Sequence, residues 1–395
     1  MTPVRRLVMA ELTSEIGSSL TLFAVPVAVF IRTRSPATTG VVASLVTLGT
    51  VLGAVAAPRV IALAGCRWSM LFSDGLAAVV SVGLFFASIT STANVWVLAV
   101  GVFVLGFIRN SFVSAQQIVL GQIVTGDELA AAYGQVMAAT RIATILGPIV
   151  AGASLTGPGL WPLFAADAVS FMVSAVLVLT VTRSVTAPVG SGSRSTLSAL
   201  KFIARSPLLR WWTSAAAVTE VAWQVLFLSV PVIAVLNWSS PIEAGVIFAG
   251  FSGGSLLGSV GVGPAARRYG RVRVATVARA VVPITFIAMA ALQRNFVAFL
   301  VAVSIGGLVN GIANPGLAAI VRESIPMHDL AGVLSVRYSL NLTGGMIGRA
   351  GGGFLINAVN VAPALVIAAI MQGVGWLLFR TGTSQTDLRP HVRNG

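Results

Sequence analysis

The chain has 395 residues, 56% of them apolar and only 9% charged, with a mean hydropathy of +0.93; soluble domains carry about 25% charged residues, so a water-soluble fold is excluded. The formal net charge of +14 sits in short loops between apolar runs, where Lys and Arg orient a membrane protein, and nucleic acid is excluded as a partner. One cysteine (Cys66), two histidines (His328 and His391) and the lack of a G-x-x-x-x-G-K-[ST] loop argue against a disulfide, a metal, a cofactor and nucleotide hydrolysis, hence against an enzyme.

From the N-terminus, the basic start Met1–Ala10 runs into an apolar stretch that contains Glu11 and Glu15 and lacks a small-x-small cleavage site. It reads as a retained first span rather than a signal peptide. Apolar runs long enough to cross a bilayer fall at 7–31, 39–62, 68–90, 95–119, 129–155 and 161–182, then at 209–236, 241–264, 272–292, 296–320, 331–357 and 361–380. The expectation is an all-α integral membrane protein, with twelve transmembrane helices as two pseudo-symmetric six-helix bundles over 1–182 and 209–380. A linker at 183–208 joins them, and a tail follows at 381–395. Within the linker, Ala187–Ser193 is Ser/Gly/Pro-rich and flexible. Thr196–Arg205 is either an interfacial helix, with Leu197, Leu200, Phe202 and Ile203 toward membrane lipid, or a solvated one. Of the 25 Lys and Arg residues, Arg32, Arg34 and Arg294 fall in outer loops and Arg109, Arg141, Arg279, Arg337 and Arg349 within spans. The other 17 lie on the side of the N-terminus. This predicts a multi-pass protein of the cell membrane with both termini cytoplasmic.

The halves are copies. At an offset of 205, Arg5, Glu15, Pro26, Pro36, Gly40, Gly49, Gly53 and Gly65 fall on Arg210, Glu220, Pro231, Pro241, Gly245, Gly254, Gly258 and Gly270. At an offset of 201, Gly106, Leu129, Ala130, Gly147, Gly152 and Pro162 fall on Gly307, Leu330, Ala331, Gly348, Gly353 and Pro363. Two parallel six-span repeats are a plan of secondary transporters, with a small molecule bound between the halves near mid-membrane.

These features resemble the major facilitator superfamily along the whole chain. The family's loop motif G-x-L-A-D-R-x-G-R-K looks degraded at Gly65-Cys-Arg67 and closer at Arg268-Tyr-Gly270-Arg271, in both places without its acid. The blocks Asp127–Ala130, Gly147–Gly152 and Asp167–Phe171 are most similar to the branch holding macrolide, tetracycline and siderophore exporters. Its antiporter motif G-x8-G-x3-G-P-x2-G-G is matched in span five by Gly134, Ala143, Gly147, Pro148, Ala151 and Gly152. Span eleven carries Ser335, Gly344, Gly348, Arg349, Gly352 and Gly353 in register, with Arg349 in the proline's place. Small residues four apart let helices approach closely and a proline permits a kink, so plain packing competes with a motif that serves antiport.

Charges inside a span cost about 2.5–3.5 kcal/mol on insertion scales and are functional candidates. Glu15 lies eight residues past Leu7, about 12 Å into its helix, and Glu220 is its repeat mate. Glu15 is expected to carry a coupling proton, with Glu220 as partner or as a contact for cationic cargo; static pairing with an arginine is the rival reading. Arg109 follows Leu105 by four, as in the family's L-x-x-x-R-x-x-Q-G element, which implies a part in proton transfer. Arg141 would need a carboxylate, either Glu15 or Asp167. Asp74 and its mate Arg279 read as a structural latch near the cytoplasmic ends, and Asp167 as structural. Gln116, Gln224, Asn310, Asn314 and Asn341, with Trp223, are the candidate cargo contacts.

The resulting expectation is a monomeric, proton-coupled exporter of an amphipathic drug or natural product. Alternatives are a symporter or facilitator importing a small nutrient, or a non-transporting receptor or assembly factor.

Overall fold

The computed structural model describes residues 3–90, 94–124, 127–181 and 196–387. The predicted flexible stretch Ala187–Ser193, the tail beyond Asp387, and the side chains of Asp127–Ala130, Leu197 and His328 lie outside the described residues. Those described form helices without strands: α1 (Pro3–Thr33), α2 (Pro36–Ile89), α3 (Val95–Ile123), α4 (Asp127–Thr156), α5 (Trp161–Val181), α6 (Thr196–Arg205), α7 (Pro207–Ile233), α8 (Pro241–Tyr269), α9 (Arg271–Leu292), α10 (Phe296–Glu323), α11 (Met327–Val359) and α12 (Val361–Asp387). A five-residue π-helical stretch, Ala234–Trp238, ends α7. Ten of these segments are long and apolar enough to cross a membrane. α11 is as long as they are but carries Arg337 and Arg349. Every predicted run lies on helix, and α12 extends seven residues past the predicted end at 380.

Predicted spans two and three are merged in the 54 residues of α2, which as a straight rod would measure about 81 Å. It is broken at Gly65, where φ is 77° and ψ 164°. A residue with a Cβ is strained there, so the glycine that looked like a loop-motif remnant makes the break.

The backbone repeats as the sequence does. The residues with positive φ are Arg34, Gly65, Gly159, Ser239, Gly270 and Asn360; Arg34 pairs with Ser239 and Gly65 with Gly270 at the offset of 205, and Gly159 with Asn360 at 201. Asn94 caps α3 by accepting from the amides of Trp96 and Val97. Its mate Asn295 caps α10 by accepting from Ala298 N at 3.0 Å. Such caps satisfy amide donors that have no partner inside the helix.

Helix crossings repeat too. A Cβ on Gly49 or Gly53 of α2 would run into the carbonyls of Phe103 and Phe107 on α3, and one on Gly106 into that of Val46. In α8 and α10, Gly254, Gly258 and Gly307 meet the carbonyls of Ser304, Leu308 and Phe251, which are the repeat mates of those three. At these crossings the helices touch backbone to backbone, which is how small residues hold helices together in lipid.

By contacts the chain divides into two compact units, Met1–Val189 with Val230–Ala249 and Gly190–Ser229 with Gly250–Gly395. The segment 230–249 groups with the first unit. The reason is close packing there: Gly245 lies against the backbone of Pro148, Gly152 against Pro241 and Ile242, and Phe23 meets Phe248 edge-on at 5.1 Å. Each unit has its own core, and the two cores match by position. Leu7, Ala10, Met70, Leu120, Ala132 and Val178 in the first correspond to Trp212, Ala215, Ala275, Val321, Val333 and Phe379 in the second. Helix α6 packs on the second core through Ala199 and Ile203, with Phe202 beside them. Leu200, Lys201 and Arg205 stay exposed, so the face predicted to meet lipid is divided between protein and the outside.

Candidate functional site

In the first unit, polar side chains from α1, α2 and α3 converge. Glu15 forms an ion pair with Arg109, whose side chain remains 32% exposed while that of Glu15 is 9% exposed. Glu11 and Asp74 are buried beside them, each leaving a carboxylate oxygen without a hydrogen-bond partner. Glu11, Ser14, Ser18, Ser73, Asp74 and Arg109 share a small cavity of about 30 Å³, closed by Phe112 and Phe171. Asp167 stands apart as a hub: its Oδ2 accepts from Thr21 of α1 at 2.7 Å and from Ser81 of α2 at 3.1 Å. Gly17 leaves room for it, since a Cβ there would press on the Asp167 carboxylate and on Ser170. A fully buried carboxylate held by hydroxyls from two helices is a tie within the bundle.

In the second unit a cavity of about 680 Å³ opens among α7, α8, α9, α10, α11 and α12, within the size range of small-molecule sites. One wall is aromatic: Trp223 lies 5.0 Å from both Phe251 and Phe286 and is stacked on Phe227 at 6.1 Å. Opposite chemistry comes from Glu220, Arg279, Arg322, Arg337, Asn310, Asn314, Asn341 and Gln372, all in the lining. Glu220 accepts from Gln224 at 2.6 Å and from Asn341 at 3.5 Å, and Gln224 accepts in turn from Arg349 Nε at 2.8 Å. Asn314 donates to Asn310 at 3.2 Å.

The two cavities are repeat mates. Ser14 corresponds to Thr219, Ser18 to Trp223, Ala77 to Val282, Phe112 to Ala313, Val113 to Asn314 and Phe171 to Gln372, and both members of each pair line their own cavity. The charges do not follow: Glu11 becomes Ala216, Asp74 becomes Arg279 and Arg109 becomes Asn310. With Glu15 included, the first site holds three acids and one arginine. The second holds three arginines and one acid.

Of the sequence candidates, the structure brings Glu15 to Arg109 and gathers Glu220, Trp223, Asn310, Asn314 and Asn341 at one cavity, with Gln224 behind Glu220. It does not bring Arg141 to Glu15 or Asp167, because Arg141 lies on an exposed face of α4 while Arg109 meets Glu15. Gln116 lines neither cavity; it is buried and donates to the Leu7 carbonyl at 3.3 Å. Asp74 and Arg279, read as a latch, each line a cavity instead.

The motif glycines act mostly by close approach. Gly147 abuts Ser19 of α1, and Gly344, Gly348 and Gly352 abut Ala217, Val221 and Val225 of α7, whereas a Cβ on Gly134 would meet nothing. In the loop motif Gly65 and Gly270 supply positive φ, Arg67 has a buried unpartnered Nε, Arg268 lies over the Tyr269 ring, and Arg271 opens α9. Arg337 and Gln372 were missed as site residues, although Arg337, an arginine inside a span, met the rule that nominated Glu15.

The profile of the Major Facilitator Superfamily matches residues 7–246 and 239–393. No curated protein sequence matches the chain. Among solved structures, the nucleoside transporter NupG superposes with a TM-score of 0.75 at 13% identity, covering 97% of this chain and 99% of that one. A bacterial homologue of the iron transporter ferroportin, in an inward-facing state, gives 0.72 at 14%, covering 97% and 98%. The human organic anion transporter MFSD10 gives 0.64 at 14%, covering 96% and 100%. At these identities the likeness is one of fold. Together with the apolar helices, the profile match makes this a multi-pass membrane transporter rather than an enzyme, and the chain belongs to the Major Facilitator Superfamily.

Proposed function

We propose that the protein is a proton-coupled antiporter of the cell membrane that exports an amphipathic drug-like or natural-product molecule by alternating access. In this reading α2 counts as two spans, divided at Gly65, and α11 spans as well. That gives twelve helices in two six-helix bundles, with both termini cytoplasmic and a single chain sufficient for function. Residues 1–182 and 209–380 are the bundles and 183–208 the linker.

The observation that carries the proton part is the buried Glu15–Arg109 pair, flanked by Glu11 and Asp74. A carboxylate deep in a membrane helix is costly unless paired or protonated, so taking up a proton and leaving the arginine are linked events. Arg109 thereby positions and releases Glu15. Glu220, which accepts from the amides of Gln224 and Asn341, is the proposed contact or secondary proton site in the other half. The cavity of about 680 Å³, with an aromatic wall and a few polar groups, supports an amphipathic cargo. The glycines of α4 and α11, packed on α1 and α7, support helices that move against one another as close-fitting pairs.

The test is drug accumulation in cells stripped of their own efflux pumps, expressing wild type or Glu15→Gln at matched membrane levels. Exclusion of a compound class that collapses with a protonophore, and falls at least tenfold in the variant, is the expected result. Undiminished exclusion by Glu15→Gln removes it from coupling, and uphill accumulation in place of exclusion turns the direction to import.

A further inference from the structure

We infer that the cavity of the second unit seats an organic anion, its oxyanion group held by Arg279 and Arg337 and its flat apolar body against Trp223, Phe227 and Phe251. This deepens the transport reading by naming the charge class of the cargo. It rests on that reading only for the claim that what binds there is carried.

Arg279 on α9 and Arg337 on α11 line the same cavity. Arg279 Nε and Arg337 Nη1 are shielded from solvent and have no hydrogen-bond partner among the described residues. Arg279 also lies over the Phe379 ring, 5.3 Å from its centre, a contact that orients the guanidinium without neutralising it. Buried donors in folded proteins are nearly all satisfied, and exceptions call for an explanation.

Glu220, the carboxylate among the described lining residues, does not supply it. Glu220 accepts from Gln224 and Asn341 and forms no ion pair with either arginine. Nor are these charges a residue of the duplication, since the mates of Arg279 and Arg337 in the first half are Asp74 and Val136. A pair of guanidinium forks converging on one space is the chemistry that grips carboxylate, phosphate or sulfonate. With Arg322 also in the lining, the described lining residues carry three positive charges against one negative. A cationic cargo would therefore enter against an excess of like charge.

The test uses the full chain in zwitterionic lipid nanodiscs and equilibrium dialysis of three probes that share one ring system: 2-naphthoate, 2-naphthamide and 2-naphthylmethylammonium, with empty nanodiscs subtracted. Naphthoate is expected to bind at least tenfold more tightly than the amide, and the ammonium more weakly than either. Arg279→Gln and Arg337→Gln should each remove most of that preference, and Arg337→Lys should restore part of it. Unchanged circular dichroism and thermal unfolding show that the variants are folded, and the comparison of probes on wild type needs no variant. Equal binding of the three, preference for the ammonium, or binding of none overturns the inference. Anion binding without flux in proteoliposomes would sustain the site and sink the transport reading. Flux of neutral or cationic compounds without anion binding would do the reverse.

Discussion

In the first unit Phe112 and Phe171 close a small acidic pocket around Glu11, Asp74 and Arg109; in the second, Ala313 and Gln372 stand at the positions of those two rings and a cavity more than twenty times larger opens among arginines. The residues that changed are those whose side chains fill or charge the space. Those that did not change set the backbone: Gly65 and Gly270 at positive φ, the caps Asn94 and Asn295, and the glycines Gly49, Gly53 and Gly106 with their mates at the crossings. A duplicated bundle has little freedom at the second kind of position, because a carbonyl in the way of a Cβ cannot rotate aside. At the first kind, one ring exchanged for a methyl group makes room for a ligand. The comparison thus separates residues that make the fold from residues that make the site.

The strongest way to break the contrast is to give the first half the second half's residue. Arg109→Asn puts an amide opposite Glu15, as Asn310 stands in the other half, and leaves a buried carboxylate without its cation. Breaking a buried pair costs about 3–5 kcal/mol, and the lower end is expected because a third of the Arg109 side chain is exposed. Unfolding in mixed micelles should register the loss, and adding Glu15→Gln to the same chain should recover most of it. A double variant as unstable as the single one would mean that the ion pair is not what holds α1 to α3.

A second comparison sharpens the equivalence of the backbones. Gly53→Ala directs a Cβ at the Phe107 carbonyl, and Gly258→Ala directs one at that of Leu308. Overpacking of this kind costs about 1–3 kcal/mol, from which alanine's better helix propensity returns up to about 1 kcal/mol. With backbone carbonyls in the way, the upper end applies, so each substitution should destabilise by about 2 kcal/mol, and the two by nearly the same amount in parallel unfolding measurements. Tolerance of one and collapse of the other would show that the two crossings, though alike in geometry, differ in load.

The same division explains what could be read from the amino-acid order. The apolar runs and the glycine offsets carry the spans and the repeat, because bilayer thickness and backbone contact leave their marks on residue type. Of the six described positive-φ residues, Gly65 and Gly270 stand in the loop motif, whereas the pairs Arg34 with Ser239 and Gly159 with Asn360 carry no common residue type and are found only in the fold. The cavity left no such mark, since Ala313 and Phe112 are equally at home in an apolar helix. Arg279 is instructive: it lies eight residues past Arg271, about 12 Å into its helix, the same depth that nominated Glu15. Reading it as a latch at the helix end overlooked that arithmetic. Gln116 shows the opposite case, a buried amide that donates to the Leu7 carbonyl.

The smallest expected effect lies where the halves differ in a single hydrogen bond. Asn110 of α3 donates to the Thr50 carbonyl of α2 at 2.7 Å. Its mate Gly311 has no side chain and lies directly against the Ser255 carbonyl, the mate of Thr50. The second half thus brings α8 and α10 together by contact where the first half uses a bridging amide. Side-chain hydrogen bonds between membrane helices average about 0.6 kcal/mol, because the separated helices find other partners in the membrane. Asn110→Ala should therefore lower stability by about that much and leave transport unchanged. A loss of several kcal/mol would mean that the bond closes a strained joint near the Gly49 and Gly53 crossing, and that the first half depends on polar contacts where the second depends on shape.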